Sequence, residues 1–568
     1  MSAFKSRLVF LVLTVVLLVG ALLIGAFFLT IGRSGSLPTP NEEPIAQLAM
    51  PEVAEEYAEE EYDYAESESV LRDEARVMPS ATAAAGGEAK PDFNTEEYDY
   101  IQENDFLEAM SNPLSTFSID VDTASYSNAR RFLNSSQLPP VDAVRIEEFI
   151  NYFNYDYPQP DGEHPFAIVT ELSTSPWNAE HQLVHIGIQG QQVDTESLPD
   201  SNLVFLFDVS GSMNNPDKLP LLKQGFRLLV DQLTERDRVS IVVYAGAAGL
   251  VLPSTSGAEK ATILEAIERL EAGGSTAGGE GIQLAYNQAK ENFILGGNNR
   301  VILATDGDFN VGASSDSELV RMIEEKRDDG IFLTILGFGS GNYKDSKMEQ
   351  LADKGNGNYA YIDTIREAKK VLVTEMGGTL LTIAKDVKIQ IEFNPAKVKA
   401  YRLIGYENRL LAKEDFVDDT KDAGELGAGH TVTALYEIIP ANADEKVRPT
   451  PELKYQESNL SNQAQGDELL TVKFRYKQPD GTQSIEIVSP LMDSETALSE
   501  TSANYRFSAA VAEFGMLLRD SDYKGEASYD HVLELAQDSL GEDVEGYRSE
   551  FVTLVETAQL LDNRQHQE

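Results

Sequence analysis

The sequence predicts an α/β protein. Its centre is a doubly wound, mostly parallel sheet inserted in or flanked by an antiparallel β-sandwich, with a helical C-terminal region and an N-terminal transmembrane helix. Three observations carry this. The apolar run Leu203-Val-Phe-Leu-Phe stops at Asp208, as a strand buried on both faces does. From there to about residue 362 short apolar runs alternate with helical patterns, which gives parallel pairing through right-handed crossovers. Beyond Asp386 the apolar period changes to two, which marks antiparallel strands.

Length and charge set the frame. A chain of 568 residues holds about three domains plus connectors. The net charge of −48 and pI near 4.4 argue against nucleic acid or anionic lipid as a partner, because phosphates would be repelled. Cations and basic proteins are the natural counterparts. The chain has no cysteine, so disulfides, thiolate metal sites and lipid-modified cysteines are excluded.

Residues 1–33 read as a transmembrane anchor. Leu8 to Gly32 is uncharged, with Lys5 and Arg7 before it and Arg33 after it. About 20 apolar residues cross a bilayer as a helix, so the stretch is long enough to span with some tilt. A cleaved signal peptide has an apolar core of about 7–15 residues and an Ala-x-Ala-like site, and none follows Leu29. The basic excess before the span orients the N-terminus to the cytoplasm and the bulk of the chain outside, in the periplasm or on the cell surface.

Residues 34–111 read as an acidic disordered linker. The run Glu55-Glu-Tyr-Ala-Glu-Glu-Glu-Tyr-Asp-Tyr and, later, Glu96-Glu-Tyr-Asp-Tyr combine like charge with few branched aliphatics. Too little apolar surface is then available to offset chain entropy. A flexible chain of this length reaches about 50 Å and suits a spacer. The sharper alternative is that the Tyr-Glu repeats dock a basic partner.

Residues 112–200 read as an α+β flanking segment. Helical patterns cover Ala129 to Leu133 and Val144 to Tyr152, and alternating runs Phe166 to Leu172 and Leu183 to Ile188 read as strands. Asp120-x-Asp122 fits neither a calcium loop nor a haloacid dehalogenase phosphatase, because Ala124 and Ser125 stand where those signatures need other residues. The expectation is that Asp122 or Thr123 caps the following helix.

Residues 201–385 hold the regular alternation. Strands are expected at Leu203 to Asp208, Arg238 to Tyr244, Arg300 to Thr305, Ile331 to Gly337 and Tyr359 to Ile362, with a short edge piece at Leu250 to Leu252. Helices are expected at Leu219 to Leu233, Ala258 to Glu271, Glu280 to Asn292, Ser317 to Asp329 and Lys344 to Lys354. Asp208, Ser210 and Ser212 alternate just past a strand's C-terminal end, where open α/β sheets bind ligands. Hard oxygen donors suit Mg2+, and also Mn2+ or Ca2+. The loop Gly273-Gly-Ser-Thr276 and the strand end Thr305-Asp306-Gly can complete the set; taken alone, Asp208 to Ser212 could equally be a cap or turn.

This ordered set, Asp208-x-Ser210-x-Ser212, Thr276 and Asp306-Gly, resembles the metal-ion-dependent adhesion site of von Willebrand factor type A (VWA) domains, over about Asn202 to Lys385. The flank, with STFSIDVDTASYSNARRFL and DAVRIEEFINYF, resembles the segment before the VWA domain in a family of bacterial envelope proteins, which also carry a C-terminal region of undefined role. The resemblance implies a metal site with some ligands acting through water and one coordination position open to a partner's acidic side chain.

Catalytic readings fail. The loop Gly273 to Gly281 lacks Gly-Lys-Ser/Thr, and no G-x-S-x-G elbow or activating histidine serves Ser210 or Ser212. His164, His181, His185, His430, His531 and His566 lack metal-ligand spacing. Residues 386–490 read as a β-rich domain with a hairpin at Gln478-Pro-Asp-Gly481, and residues 491–568 as amphipathic helices with acidic polar faces. The expectation is a non-enzymatic, membrane-anchored module that binds a protein through a divalent cation. The alternatives are an envelope scaffold with a structural metal, or a metal-dependent hydrolase.

Overall fold

The structure, a computed structural model, describes residues 95–565 apart from 120, 195–197, 276–277, 308–315, 422, 449–453 and 456–458. The expected span Leu8 to Gly32 and the linker as far as residue 94 lie outside the described residues. Among the described helices none is long and apolar enough to cross a membrane.

A six-stranded sheet forms the centre. Its strands are β5 (Ser201–Asp208), β6 (Arg238–Tyr244), β7 (Ala248–Ser256), β8 (Asn298–Thr305), β9 (Ile331–Phe338) and β10 (Tyr359–Ile362), in the order β10-β9-β8-β5-β6-β7. All neighbours are parallel except β6 and β7. Strand β5 is apolar throughout because it serves two cores. Leu203, Phe205 and Phe207 pack on one side with helix Leu219–Gln232, and Val204 and Leu206 on the other with helix Gly278–Glu291. The expected edge piece at 250–252 is the full antiparallel strand β7.

The flanks interleave into a two-sheet sandwich. One sheet orders β1 (Leu107–Glu108), β12 (Val398–Ile404), β14 (Thr431–Pro440), β4 (Asn178–Gly190) and β3 (Phe166–Ser175). The other orders β13 (Gly424–Gly427), β11 (Thr382–Phe393), β15 (Glu468–Lys477) and β16 (Ser484–Met492), with β2 (Leu114–Ser118) also paired to β11. Three strand pairings join chain from before the VWA sheet to chain from after it: Tyr401 opposite Leu107, Ile389 opposite Phe117 and Tyr436 opposite Val184. The VWA unit is thus inserted in the sandwich. Phe117, Val184, Ile389, Phe393, Val472 and Phe474 share its apolar interior.

Helices Ala503–Arg519, Tyr529–Gln537 and Tyr547–Gln565 do not form a separate core. Phe507, Phe514 and Phe551 pack with Tyr126, Phe149, Tyr152 and Phe153 from the N-terminal flank, so the two ends of the folded chain share one apolar cluster.

Two expectations need correction. Residues 95–111 belong to the fold rather than to a linker: Leu107 pairs with Tyr401, and Thr95 and Glu97 bond to the VWA unit. Their acids are ordered by basic partners distant in sequence, which composition does not reveal. Neither Asp122 nor Thr123 caps helix Ala124–Asn134 through its side chain. Asp122 accepts a hydrogen bond from Tyr359 N at 2.7 Å instead, and Glu148 takes the helix-start amide of Ser125 at 2.7 Å.

Candidate metal and ligand site

Asp208 closes β5 opposite Tyr244 of β6 and is fully buried. Its Oδ1 accepts a hydrogen bond from Ser210 N at 2.8 Å, a tight local turn that reverses the chain after the strand. The turn brings the hydroxyls of Ser210 and Ser212 to 3.0 Å from one another. Ser210 is buried and Ser212 exposed, so the pair leads from the interior to solvent. Asp208 Oδ2 accepts from the hydroxyls of Tyr244 at 3.2 Å and Thr305 at 3.1 Å.

Asp306 follows β8 and is also fully buried. Its Oδ2 accepts from Lys218 Nζ at 3.0 Å, and the same ammonium donates to Asn342 Oδ1 at 3.2 Å. Gly307 is required beside it, because its φ is +99° and a Cβ there would lie 2.6 Å from Lys344 N. Gly339, with φ of +71°, leaves the path along which the Lys218 side chain reaches the site.

The loop that carries Thr276 is stitched to the Asp208 turn. Gly211 N donates to the Gly274 carbonyl at 3.1 Å, and Gly273 N to the Val209 carbonyl at 2.8 Å. Thr276 itself lies outside the described residues, as do residues 308–315 after Gly307. Four of the five expected residues are therefore described: Asp208, Ser210 and Ser212 form one turn, and Asp306 directly follows the adjacent parallel strand.

Burial pushes the Asp208 carboxyl up to about 6; hydrogen bonds from Ser210 offset this in part, and the Asp306 charge adds to it. Among the described residues no cationic side chain contacts Asp208. Two buried carboxylates and a hydroxyl pair that leads to solvent make a hard-oxygen donor set of the kind that suits Mg2+ or Ca2+, with the Lys218 ammonium beside it. Among the described residues there is no group of three or more His, Cys, Asp or Glu that could hold a metal. An ion here would depend on the serine hydroxyls.

Sequence reasoning missed Tyr244 and Lys218, and named Thr305 only as part of the strand end, without its contact to Asp208. Tyr244 and Thr305 end apolar strands at the same sheet edge as Asp208, so strand-end polarity was a usable signal. Lys218 immediately precedes helix Leu219–Gln232 and meets Asp306 only through the tertiary fold. Among the histidines, His185 is buried between the hydroxyls of Tyr157 at 2.8 Å and Ser508 at 3.0 Å, and His181 lies between Glu437 and Glu445, each at 2.6 Å.

This sheet, with its polar turn at the strand ends, defines a protein built on a VWA domain. Residues 202–373 match the family described as von Willebrand factor type A domain, and residues 92–185 the one described as von Willebrand factor. Residues 378–561 match the one described as Uncharacterized protein YfbK, C-terminal. YfbK of Escherichia coli (strain K12) is 44% identical over 514 residues, covering 88% of each chain. The chain belongs to the YfbK family. Protein sll0103 of Synechocystis sp. is 29% identical over 188 residues, 33% of this chain and 43% of its own. Of solved structures, a von Willebrand factor type A protein from Catenulispora acidiphila shares 15% identity with a TM-score of 0.37, over 69% of this chain and 91% of its own.

Proposed function

We propose that the chain is a membrane-anchored, extracytoplasmic protein-binding module, and that Asp208, Ser210, Ser212, Thr276 and Asp306 hold a divalent cation, Mg2+ or else Mn2+ or Ca2+, through which it binds a partner protein. The VWA domain points to a protein-interaction role. The observation that carries the finer reading is Asp208, a fully buried carboxylate met by hydroxyls and an amide, beside a hydroxyl pair that reaches solvent. A buried carboxylate without a protein cation is costly unless a cation from outside compensates it.

A chain of net charge −48 repels acidic partners. A bridging cation with an open position offers a point at which a partner's carboxylate is attracted, which directs such binding to the site. The uncharged stretch Leu8 to Gly32 supports the anchor, and the basic residues Lys5 and Arg7 support its orientation.

The test is calorimetric titration of Mg2+ and Mn2+ into the detergent-solubilised chain and into Asp208→Ala, followed by capture from envelope extract with and without chelator. Ion binding that Asp208→Ala removes, with a captured protein that chelator releases, upholds the reading. Ion binding without a chelator-sensitive partner leaves a scaffold with a structural ion. No ion binding to the folded wild type sinks it.

A further inference from the structure

We propose that the cleft between Arg131 of the flanking helix Ala124–Asn134 and Lys344 of the VWA unit is a peptide-binding groove for the sequence Glu-Glu-Tyr-Asp-Tyr, and that residues 60–64 of this chain are a second ligand for it.

The groove is seen with one occupant. Residues 95–99 lie along the loop after β9 like an added strand: Thr95 N donates to the Gly341 carbonyl at 2.7 Å and Glu97 N to the Tyr343 carbonyl at 3.1 Å. Glu97 pairs with Lys344 in a parallel bridge. Asp99 N continues the series, donating to Ser346 Oγ at 3.0 Å. Recognition of this kind takes affinity from main-chain bonds and specificity from side-chain pockets.

The side chains supply the specificity. Both Nη atoms of Arg131 donate to the Glu96 carboxylate at 3.0 Å, a bidentate clamp, and Gly341 N donates to it at 2.9 Å. Lys344 Nζ pairs with Glu97 at 2.8 Å. Tyr98 sets its ring 6.3 Å from that of Tyr343, accepts a hydrogen bond from Asn128 Nδ2 at 2.9 Å and donates to Glu96 Oε2 at 3.1 Å. Tyr100, by contrast, is 82% exposed.

The five residues Glu96-Glu97-Tyr98-Asp99-Tyr100 recur without change as Glu60-Glu61-Tyr62-Asp63-Tyr64. Apart from Thr95, every group that grips the groove is contained in the repeated pentapeptide, so residues 60–64 carry the same determinants. Each chain therefore has one groove and two ligands. Residues 96–100 continue directly into the folded chain and have the higher effective concentration, so they hold the groove at rest. Residues 60–64 compete from behind the segment 65–95, or enter the groove of a second copy.

Because the chain contains no cysteine, engineered pairs report contacts without background. In the full-length chain in detergent, Asp99→Cys with Ser346→Cys is the positive control. The test pair is Asp63→Cys with Ser346→Cys, in a background of Glu96→Ala and Tyr98→Ala that loosens the resident copy. The expected result is a disulfide in the test pair, with monomer or dimer mobility reporting exchange within or between chains. Restoring Glu96 and Tyr98 slows it by about tenfold. A second measurement needs no substitution in the resident copy's glutamate or tyrosine: excess synthetic peptide of residues 58–66 slows formation of the control disulfide, and the same peptide with Glu60→Ala and Tyr62→Ala does not. If the control pair links, the test pair stays reduced and the peptide has no effect, the proposal is overturned.

Discussion

Asp208 in the VWA sheet and Glu437 in the sandwich are both buried strand carboxylates, and the protein treats them in opposite ways. Glu437 on β14 accepts from Arg402 Nη2 at 2.9 Å and meets His181 Nδ1 at 2.6 Å. Burial pushes its carboxyl up, but His181 and Arg402 more than offset this and hold it below the usual carboxylate range. Asp208 meets hydroxyls and one amide, and burial leaves it at about 6. The seam beside the VWA unit follows the sandwich pattern, with Arg130 clamping Asp363 at 2.5 Å and Glu367 at 2.7 Å. These acids of the sandwich and its seam are closed by guanidinium or imidazole within the chain. Among the described residues Asp208, at the sheet's ligand-binding edge, is not.

The strongest test of that contrast removes a cation from the closed pair. Arg402→Met leaves Glu437 buried with only His181, and breaking a buried ion pair from one side costs about 3–5 kcal/mol. Urea unfolding at pH 7 should show that loss. A loss under about 1 kcal/mol would mean Glu437 is as tolerant of isolation as Asp208, and the contrast would break.

The sandwich region also buries two histidines, His185 and His430, and this gives it a pH signature. Burial pushes His185 down to about 3 and His430 down to about 4. Above the ordinary histidine range both are neutral whether folded or not. Below about 6.5 the unfolded chain takes up a proton that folded His185 refuses, so stability falls by about 1.4 kcal/mol per pH unit toward pH 3. His181 runs the other way: its raised pKa contributes stability below the unfolded value that is lost as pH rises through the folded one. In His185→Gln the slope of stability against pH between about 4 and 6 should be shallower by one proton. An unchanged slope would show that His185 is protonated in the fold.

For Asp208 the expected sign reverses. Asp208→Asn removes a carboxylate held near 6 by burial, against an ordinary value near 3.8. The metal-free chain at pH 7 should gain about 1–3 kcal/mol, reduced by any misfit of the amide with Tyr244 and Thr305. The wild type should gain stability on adding Mg2+, by about 2.7 kcal/mol at a hundredfold excess over Kd, and Asp208→Asn should not. Thermal unfolding with Mg2+ and with chelator reads both. A destabilised Asp208→Asn would place Asp208 with the closed acids.

These regions differ in legibility as well. The open site could be read from sequence because its parts are local: an apolar run, a terminal acid and hydroxyls two and four residues on. The hairpin at Gln478 to Gly481 was legible for the same reason, and it joins β15 to β16. The closed pairs were not, since Arg402 and Glu437, or Glu96 and Arg131, meet only through the fold. Strand β12 hid because both its faces are buried, so Val398, Ala400, Tyr401, Leu403 and Ile404 break the period of two. Composition misassigned residues 95–111, where an acid-rich sequence is ordered by basic groups as distant as Lys344.

Lys218 divides the two patterns within the site itself. Its ammonium donates to Asp306 Oδ2 at 3.0 Å with both side chains buried, so Asp306 is half closed while its neighbour Asp208 is open. A divalent ion at these residues meets Lys218 as a like charge and as a competitor for a carboxylate oxygen. Lys218→Met should therefore tighten Mg2+ binding, by about tenfold or 1.4 kcal/mol, while the metal-free chain loses stability because Asp306 is left without its cation. Calorimetric titration of both chains, with unfolding in chelator alongside, separates the two effects. Weaker Mg2+ binding in Lys218→Met would mean that the ammonium positions Asp306 rather than competing for it. Asp306 would then be a carboxylate held in place from within and still offered to the ion, which would depend on Lys218 as well as on Asp208 and its serines.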